Sequence, residues 1–545
     1  MKRFFYILIA LAFVFSSCEK QPKPNNGGNN NNNQQQGQQG GQTQPDDPDA
    51  NWTYIYAGNF AYDYMNSYYL WKKEIKAQLE DWAENVNVDP IAKVKAIRYK
   101  DPKDKTKDID RWTMVTDDYK SFMGDVTGVA TTYGYGFDFF QESSGKYYAL
   151  VLYTYEGSPA RAAGLKRGDK IVKIDNEPIS AFNYMKFYDS SSCTLELESG
   201  ETVQMTAIEM VENPVHIYTV LDNGEKKIGY LHYTSFTAES CASLIEACKY
   251  FKEEGVKELV LDLRYNGGGA VVAEELLISM LAPQDAVAAG EIFEKEIYND
   301  EMTAELISEY GEDYNVSRFQ TQHDFKFDGK QYTFNTADAN IGLEKIYAIV
   351  TGGSASASEA ILCCLKPFYQ DNLVLIGQRT YGKYTAGYIF GSDDYFKDIK
   401  KYYSTRPNDK NYKEAMEFAE GGLKYASNWG LYVMFARFAD RNGKTLCMPD
   451  GMPVDYRAVD KPEEGIVLGD PEESMLKATL KRANFTMESS SSSVQGAPER
   501  IVSPKKAGFA RPEKPGMVKT VTSLPERPRG PWRLHPSNDQ YNQAE

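Results

Sequence analysis

Histidine and paired cysteines are what this sequence lacks most clearly. None of its four histidines lies in a His-Glu-x-x-His pattern or is flanked by residues typical of a Ser-His-Asp triad. None of the seven cysteines has a partner at the Cys-x-x-Cys spacing of zinc or redox sites. We therefore predict neither a metal ion nor an organic cofactor. We interpret the following as core or surface residues: His216, His232, His323, His535, Cys241, Cys248, Cys363 and Cys364.

Basic residues are fewer than acidic ones, 61 against 77. The formal net charge of −16 argues against a nucleic-acid partner, because phosphate binding needs a basic surface. The glycines of Gly267–Gly269 are not followed by the Lys-Ser/Thr pair of a P-loop, so a nucleotide enzyme is poorly supported. The apolar run at residues 4–15 is too short to cross a bilayer as a helix.

Both ends of the chain are predicted to lie outside the fold. Residues 1–18 combine a basic start, a short apolar run and Ser16-Ser17-Cys18, which resembles a bacterial lipobox and predicts a lipid-modified Cys18. The alternative is an ordinary cleaved signal with an incidental cysteine. Residues 19–50 are rich in Asn, Gln and Gly and predict a disordered tether. Serine- and proline-rich residues 486–545 are likewise predicted to be disordered.

The central stretch of the sequence is residues 349–365. Its β-branched residues, Gly-Gly pair, small residues and helix-like run predict a strand, a tight turn and a helix, with Ser356 at the helix N-terminus. The positive end of a helix stabilises developing negative charge, and the amide of Ala357 can face a reacting carbonyl. The alternative is a serine that only caps the helix.

A second stretch places a lysine just beyond another predicted strand. Lys383 follows the apolar run at residues 373–376 and a flexible Tyr-Gly turn, from which it can reach a neighbouring strand end. Burial would lower the pKa of its amine, so that the neutral form could accept a serine proton. The alternative, a solvated loop lysine, is the commoner fate of a single lysine.

Together with a third stretch, residues 259–269, these segments resemble the carboxyl-terminal processing peptidases, family S41. The stretches that match the family are Ser-Ala-Ser-Ala-Ser-Glu at 354–359, Gly-Lys at 382–383 and Asp-Leu-Arg-Tyr-Asn-Gly-Gly-Gly at 262–269. The resemblance implies that Ser356 is the nucleophile and Lys383 the general base. It also implies an oxyanion hole made by the amide of Ala357 and one of Gly267, Gly268 and Gly269.

The sequence departs from the family pattern around the lysine. The family often has a glutamine four residues after the lysine to orient it, whereas this chain has Gly387 there. Glu359 or Gln378 could take that role. Glu359 could equally be a first-turn acid that complements the helix dipole, which we consider the better interpretation.

Two further segments precede the catalytic stretches. Aromatic residues at helical spacing, including Phe60, Tyr64 and Tyr68, predict a helical domain at residues 51–130. Residues 131–213 resemble a PDZ domain, in which a peptide adds a strand to an open sheet edge. The resemblance makes the Tyr133-Gly134-Tyr135-Gly136-Phe137 turn a cradle for a terminal carboxylate. The alternative is a PDZ fold kept only for packing or regulation.

Residues 214–485 alternate predicted strands and helices, which indicates α/β layering with parallel strands and a site at their carboxyl ends. The resemblance implies a ClpP/crotonase-like peptidase core with an N-terminal helical domain and an inserted PDZ domain. Polar insertions at residues 283–344 and 393–421 are predicted to be lids that shape the cleft.

The function implied by the resemblance is a membrane-anchored serine endopeptidase of the bacterial cell envelope, of the Bacteroidetes lipoprotein type. Its partners would be polypeptides bound through their C-termini and the membrane that holds its lipid anchor. The alternative from another class is a catalytically inactive PDZ scaffold of the cell envelope. The missing glutamine favours the scaffold, and the presence of both Ser356 and Lys383 counts against it.

Overall fold

We analysed a computed structural model that describes residues 51–120, 122–123, 129–327, 330–486 and 505–506. These residues all belong to one compact unit, Asp47–Glu545. The predicted signal peptide, the lipidated Cys18, the tether at residues 19–50 and most of the tail lie outside the described residues. Among the described residues, no helix is both long and apolar enough to span a bilayer.

The N-terminal region is helical, as its aromatic spacing predicts, but it shares its core with the rest of the chain. Tyr64 stacks on Phe390 with ring centroids 3.8 Å apart, and Phe60 meets Tyr395 edge-on. The region ends in a strand that pairs with the core, and its described buried residues belong to the main hydrophobic core. Its elements are α1 (Trp52–Tyr68), α2 (Lys76–Glu84), α3 (Pro90–Ile97) and β1 (Met114–Thr116).

The next region has a hydrophobic core of its own, whose buried residues run from Tyr133 to Met205. The domain bounds of 131–213 stay a prediction. Its main sheet has the order β22-β3-β4-β5-β7-β8, and a short ladder of β2 and β9 closes its base. The elements are β2 (Val129–Thr132), β3 (Tyr135–Gln141), β4 (Tyr147–Thr154), α4 (Pro159–Ala162), β5 (Lys170–Ile174), β6 (Glu177–Pro178), α5 (Lys186–Asp189), β7 (Ser192–Leu197), β8 (Thr202–Thr206), β9 (Ile208–Val211) and, from the tail, β22 (Lys505–Lys506).

Strand β22 corrects the prediction that the whole tail is disordered. Lys505 and Lys506 pair antiparallel with Gln141 and Phe140 of β3. The physical reason is that an edge strand presents unpaired N–H and C=O groups to any chain that reaches it. Composition alone does not reveal such a pairing, because it depends on main-chain groups.

The largest region is an α/β core, as predicted. A six-stranded sheet has the order β10-β11-β12-β17-β18-β21, in which every neighbouring pair except β10-β11 is parallel. A second, antiparallel sheet contains β1, β13, β14, β19 and β20. The central parallel strands are almost continuously apolar, which is typical of strands covered on both faces.

The core elements follow in chain order. The strands are β10 (Val215–Asp222), β11 (Lys227–Tyr233), β12 (Glu258–Asp262), β13 (Ile292–Ile297), β14 (Val316–Arg318), β15 (Gln322–Phe327), β16 (Lys330–Asn335), β17 (Lys345–Val350), β18 (Leu373–Gly377), β19 (Thr385–Gly391), β20 (Gly430–Asp440) and β21 (Tyr456–Arg457). The helices are α6 (Cys241–Glu253), α7 (Val271–Leu281), α8 (Gln284–Ala288), α9 (Asp300–Tyr310), α10 (Ala357–Tyr369), α11 (Ser392–Ser404), α12 (Tyr412–Tyr425) and α13 (Ser474–Arg482).

The two predicted lids are largely structural, which corrects their assignment. Within residues 283–344, β13 and β14 belong to the antiparallel sheet and Phe293 and Phe319 are buried. Within residues 393–421, α11 and α12 pack on α1 through rings such as Phe396 and Phe418 around Tyr56. Sequence polarity suggested lids because the buried aromatic residues are widely spaced in both segments.

A buried ion-pair network ties the PDZ-like region to the core. Arg264, fully buried after β12, contacts Asp262, Asp460 and Glu473, with guanidinium-to-Glu473 distances of 2.8 Å. Arg167, from the loop before β5, reaches the same Asp460 at 2.6 Å and Glu473 at 3.5 Å. Burial opposes ionisation of Glu473, but hydrogen bonds and charge from Arg264 lower its pKa to about 2.

We predict that Arg264→Met destabilises the fold. It would leave the buried carboxylate of Asp262 without its cation and leave Asp460 and Glu473 with Arg167 alone. Breaking a buried ion pair typically costs about 3–5 kcal/mol. Urea unfolding followed by circular dichroism would measure the loss. Lys477→Met is the matched control, because its ion pair with Glu472 is mostly exposed and should matter little. Equal midpoints for the two variants would contradict the prediction.

Candidate active site

Three turns meet at one edge of the parallel sheet. The glycine turn (Tyr265–Gly269) follows β12, the serine turn (Thr351–Ser356) follows β17, and the lysine turn (Gln378–Lys383) follows β18. Because β12, β17 and β18 are neighbours and parallel, their carboxyl ends lie side by side. The predicted convergence of the three sequence stretches is therefore a property of the sheet order.

Ser356 has an unusual backbone conformation. It is the N-cap of α10, with φ 59° and ψ −116°, a region that residues other than glycine rarely occupy. Its side chain is fully buried. Its N–H lies 2.9 Å from the carbonyl oxygen of Lys383, so the serine and lysine turns are joined directly through the main chain. Strained residues held by their surroundings are frequent in functional sites.

Glu359 holds the same two turns together from inside α10. Its carboxylate accepts hydrogen bonds from the N–H groups of Ser356 (3.2 Å), Gly382 (2.8 Å) and Lys383 (2.7 Å), and from the hydroxyl of Thr380. Burial raises the pKa of Glu359 to about 7, while these four hydrogen bonds act to lower it. Glu359 thus binds main-chain groups of the lysine turn, which neither sequence interpretation anticipated.

Gln378, the other predicted support, does not share the burial of the lysine. Its side chain is exposed, and its N–H donates to Val350. Lys383 Nζ donates a hydrogen bond to the Tyr432 hydroxyl, at 3.1 Å.

Lys383 is only 2% exposed, in contrast to the solvated lysine kept as an alternative. Its Nζ lies 5.2 Å from the ring centroids of both Trp112 and Tyr432, a distance at which aromatic faces attract a cation. Trp112 precedes β1 and Tyr432 lies on β20, so both come from outside the three catalytic stretches. No local sequence signal marks either residue, because only the antiparallel sheet brings them to the lysine.

The glycine turn lies directly against the serine. A Cβ atom on Gly268 would be 2.7 Å from Cβ of Ser356 and 3.0 Å from N of Ala357. The N–H of Gly268 donates to Asn266 Oδ1 at 2.9 Å. Gly268 therefore packs closely against the serine turn and its N–H is already paired. That one of the three glycines joins Ala357 in an oxyanion hole stays a prediction, and Gly267 and Gly269 are the candidates whose N–H this pairing does not involve.

The predicted carboxylate cradle stands at the start of the edge strand β3. Gly134 has φ 68°, and a Cβ there would be 2.3 Å from Cβ of Ser158. Tyr133 is buried and donates from its hydroxyl to Ser190, while the Gly134 N–H donates to Thr132. The turn is thus fixed in position by packing.

Three histidines lie in the described residues, and the hydrogen bonds they form do not include Ser356. His216 and His232 face each other at 3.0 Å between Nδ1 atoms, and His216 also contacts the carbonyl of Thr154. Burial lowers the pKa of both imidazoles. His323 is buried as well, and burial lowers its pKa to about 4. The six described cysteines are all buried, as predicted for core residues.

The fold and its three turns define a peptidase-like α/β core joined to a strand-adding domain. Residues 227–415 match the model of peptidase family S41, and residues 150–186 match a PDZ domain model. The chain therefore contains an S41 peptidase domain and a PDZ domain.

Individual relatives agree with these matches. A carboxyl-terminal-processing protease of Picosynechococcus is 25% identical over 246 residues, which are 43% of this chain and 50% of the relative. One of Synechocystis is 24% identical over 257 residues, 45% of this chain and 51% of the relative. This chain thus aligns with about half the length of the curated relatives it matches.

A solved structure supports the architecture. The crystal structure of an S41 protease homologue from Bacteroides fragilis has a TM-score of 0.53 and 21% identity. The match covers 78% of this chain and 97% of that one. At this identity the likeness shows the fold, and the chemistry of the site must be argued from the residues of this chain.

We predict opposite outcomes for neighbouring glycine substitutions. Gly268→Ala adds a methyl group against Ser356 in a backbone with φ 103°, and should destabilise the protein by about 1–3 kcal/mol. Gly267→Ala is the control, since its added methyl meets nothing within 4 Å. Urea unfolding of the two variants beside the parent would measure the difference. A stable Gly268→Ala protein would show that the turn is looser than this packing requires.

Proposed function

We propose that this chain is a serine endopeptidase of the bacterial cell envelope, held by lipid on Cys18, whose PDZ domain binds the C-termini of polypeptide substrates. The observation that carries the proposal is the burial of Lys383 in a turn bonded to the Ser356 main chain. A fully buried lysine is rare, and desolvation favours the neutral amine that a general base requires.

The proposed reaction has two halves. Ser356 Oγ attacks the scissile carbonyl while Lys383 accepts the hydroxyl proton, and the resulting ammonium returns a proton to the leaving amine. Water, deprotonated by the same lysine, then hydrolyses the acyl-enzyme and frees Ser356. The N–H of Ala357 at the first turn of α10, with Gly267 or Gly269, would bind the oxyanion.

Several positioning groups support this mechanism. Glu359 fixes the main chain of both turns, and the Tyr432 hydroxyl accepts a hydrogen bond from Lys383 Nζ. The ammonium formed during acylation would keep this contact and the faces of Trp112 and Tyr432. Tyr432 and Glu359 together could replace the glutamine expected after the lysine, one at the amine and the other at the main chain.

The inactive scaffold is the rival proposal, and the full burial of Ser356 is the observation that favours it. A substrate can reach Ser356 only if the surrounding segments move. Phe122 is buried beside Tyr432, with ring centroids 6.2 Å apart, and Tyr432 in turn contacts Lys383. A peptidase that opens on substrate binding would reconcile burial with activity.

We predict that the purified chain cleaves an unstructured protein such as casein and that Ser356→Ala does not. Loss of the N-cap hydroxyl should cost only about 1 kcal/mol, so the variant should remain folded. Lys383→Ala should be nearly as inactive, whereas Lys477→Ala, at the surface, should cleave like the parent. Undiminished turnover by Lys383→Ala would exclude the dyad. Binding of terminal peptides without any cleavage would favour the scaffold.

We also predict that Tyr432→Phe slows cleavage while leaving the fold intact. The substitution keeps the ring but removes the hydroxyl 3.1 Å from Lys383 Nζ. A hydrogen bond to a charged group contributes about 1.5–3 kcal/mol, so kcat should fall roughly 10- to 100-fold. The pH at which kcat is half-maximal should shift as well, which a purely structural role would not cause. Tyr218→Phe, on β10, is the control.

A further inference from the structure

A cluster of acidic and thiol groups lies behind the candidate active site and takes no part in the proposed chemistry. It consists of Glu274 on α7, Glu294 on β13 and Cys364 on α10, all fully buried. One potential ligand atom from each lies within 4.8 Å of the others. The three residues are far apart in sequence, so no spacing pattern announces the cluster.

Glu274 is the residue that needs explanation. Both of its carboxylate oxygens are buried and have no hydrogen-bond partner among the described residues. A buried carboxyl group without a hydrogen bond or a cation is costly and therefore rare. A ligand that supplies positive charge would remove this cost.

The distances within the cluster suit a small tetrahedral cation. Cys364 Sγ and Glu294 Oε1 are 3.6 Å apart, and two ligands on tetrahedral Zn²⁺ with ordinary Zn–S and Zn–O bonds are separated by about 3.5 Å. The Tyr384 hydroxyl lies 3.0 Å from Cys364 Sγ and 3.1 Å from Glu294 Oε1. These three atoms are thus in mutual contact, and an oxygen of Glu274 lies within 4.8 Å of the ligand atoms of Glu294 and Cys364.

We propose that Glu274, Glu294 and Cys364 bind a structural Zn²⁺ ion, with the Tyr384 hydroxyl at the fourth position. Thiolate and carboxylate are both established zinc ligands, and four protein groups around the ion are typical of a structural site. Binding requires Cys364 to lose its proton, which the ion itself promotes. The site is independent of the proposed peptidase activity.

The position of this site gives the ion a structural consequence. Cys364 lies on the helix that begins after Ser356, and Tyr384 directly follows Lys383. Zinc would therefore link α10, the antiparallel sheet and the residue after the lysine turn. Because the cluster is fully buried, the ion should enter during folding and leave only when the protein opens.

Metal analysis of the purified full-length chain tests the proposal. After expression with zinc and purification without chelators, inductively coupled plasma mass spectrometry should find about one zinc per chain. Glu274→Gln and Cys364→Ser should each reduce the zinc content at least tenfold. Glu275→Gln, on the next residue of the same helix, and Cys248→Ser, at another fully buried cysteine, should retain it.

A second measurement keeps the test decisive if a variant folds poorly. Parent protein refolded with CoCl₂ in place of zinc should show a thiolate-to-cobalt charge-transfer band, and Cys248→Ser should show the same band. Protein refolded with ZnCl₂ should also melt at a higher temperature than protein refolded with chelator. Parent chain without zinc, without the cobalt band and with equal melting temperatures would overturn the proposal.

Discussion

The carboxylate of Glu359 is the interaction on which the candidate site depends. It accepts hydrogen bonds from the main chain on both sides of the site, at Ser356 and at Gly382 and Lys383. These donors come from two loops that the sheet places next to each other but does not itself connect. This buried acceptor and the hydrogen bond from the Ser356 N–H to the Lys383 carbonyl together fix the distance between the two turns, and neither depends on the lysine amine.

The rest of the fold supplies what this carboxylate cannot. The parallel sheet delivers the strand ends, and the antiparallel sheet delivers Tyr432 to the face of Lys383. The buried arginines act one layer further out, since Arg264 anchors the glycine turn and Arg167 carries the PDZ domain onto the same carboxylates. Buried ion pairs thus connect the PDZ domain to the glycine turn, and that turn packs on Ser356.

Much of this architecture could be predicted from the sequence because it follows from local patterns. Apolar runs ending in glycine and small residues marked β12, β17 and β18, and with them the three turns. The main-chain hydrogen bonds of Glu359 and the close packing of Gly268 on Ser356 were not predicted. A helix-dipole acid looks the same in sequence as a main-chain clamp, and a run of glycines does not show what each one packs against.

What the sequence could not supply depends on contacts between distant segments. Trp112 lies before the PDZ domain in the chain and Tyr432 lies after Lys383, yet the fold brings both rings to the lysine. The polar stretch at residues 283–344 looked like a lid because its buried residues are separated by charged ones, yet two of its strands complete a sheet. Strand β22, Lys505–Lys506, could not be predicted for another reason, because it joins β3 through main-chain atoms.

That pair changes how the PDZ edge behaves towards other polypeptides. A strand that adds along the whole of β3 would need the main-chain groups of Phe140 and Gln141, which already pair with Lys506 and Lys505. A segment tethered to its own binding edge competes at an effective concentration that is typically on the order of millimolar. A polypeptide that reaches Phe140 and Gln141 would therefore compete with the tail of the same chain, whereas one that ends nearer the turn at residues 133–137 would not.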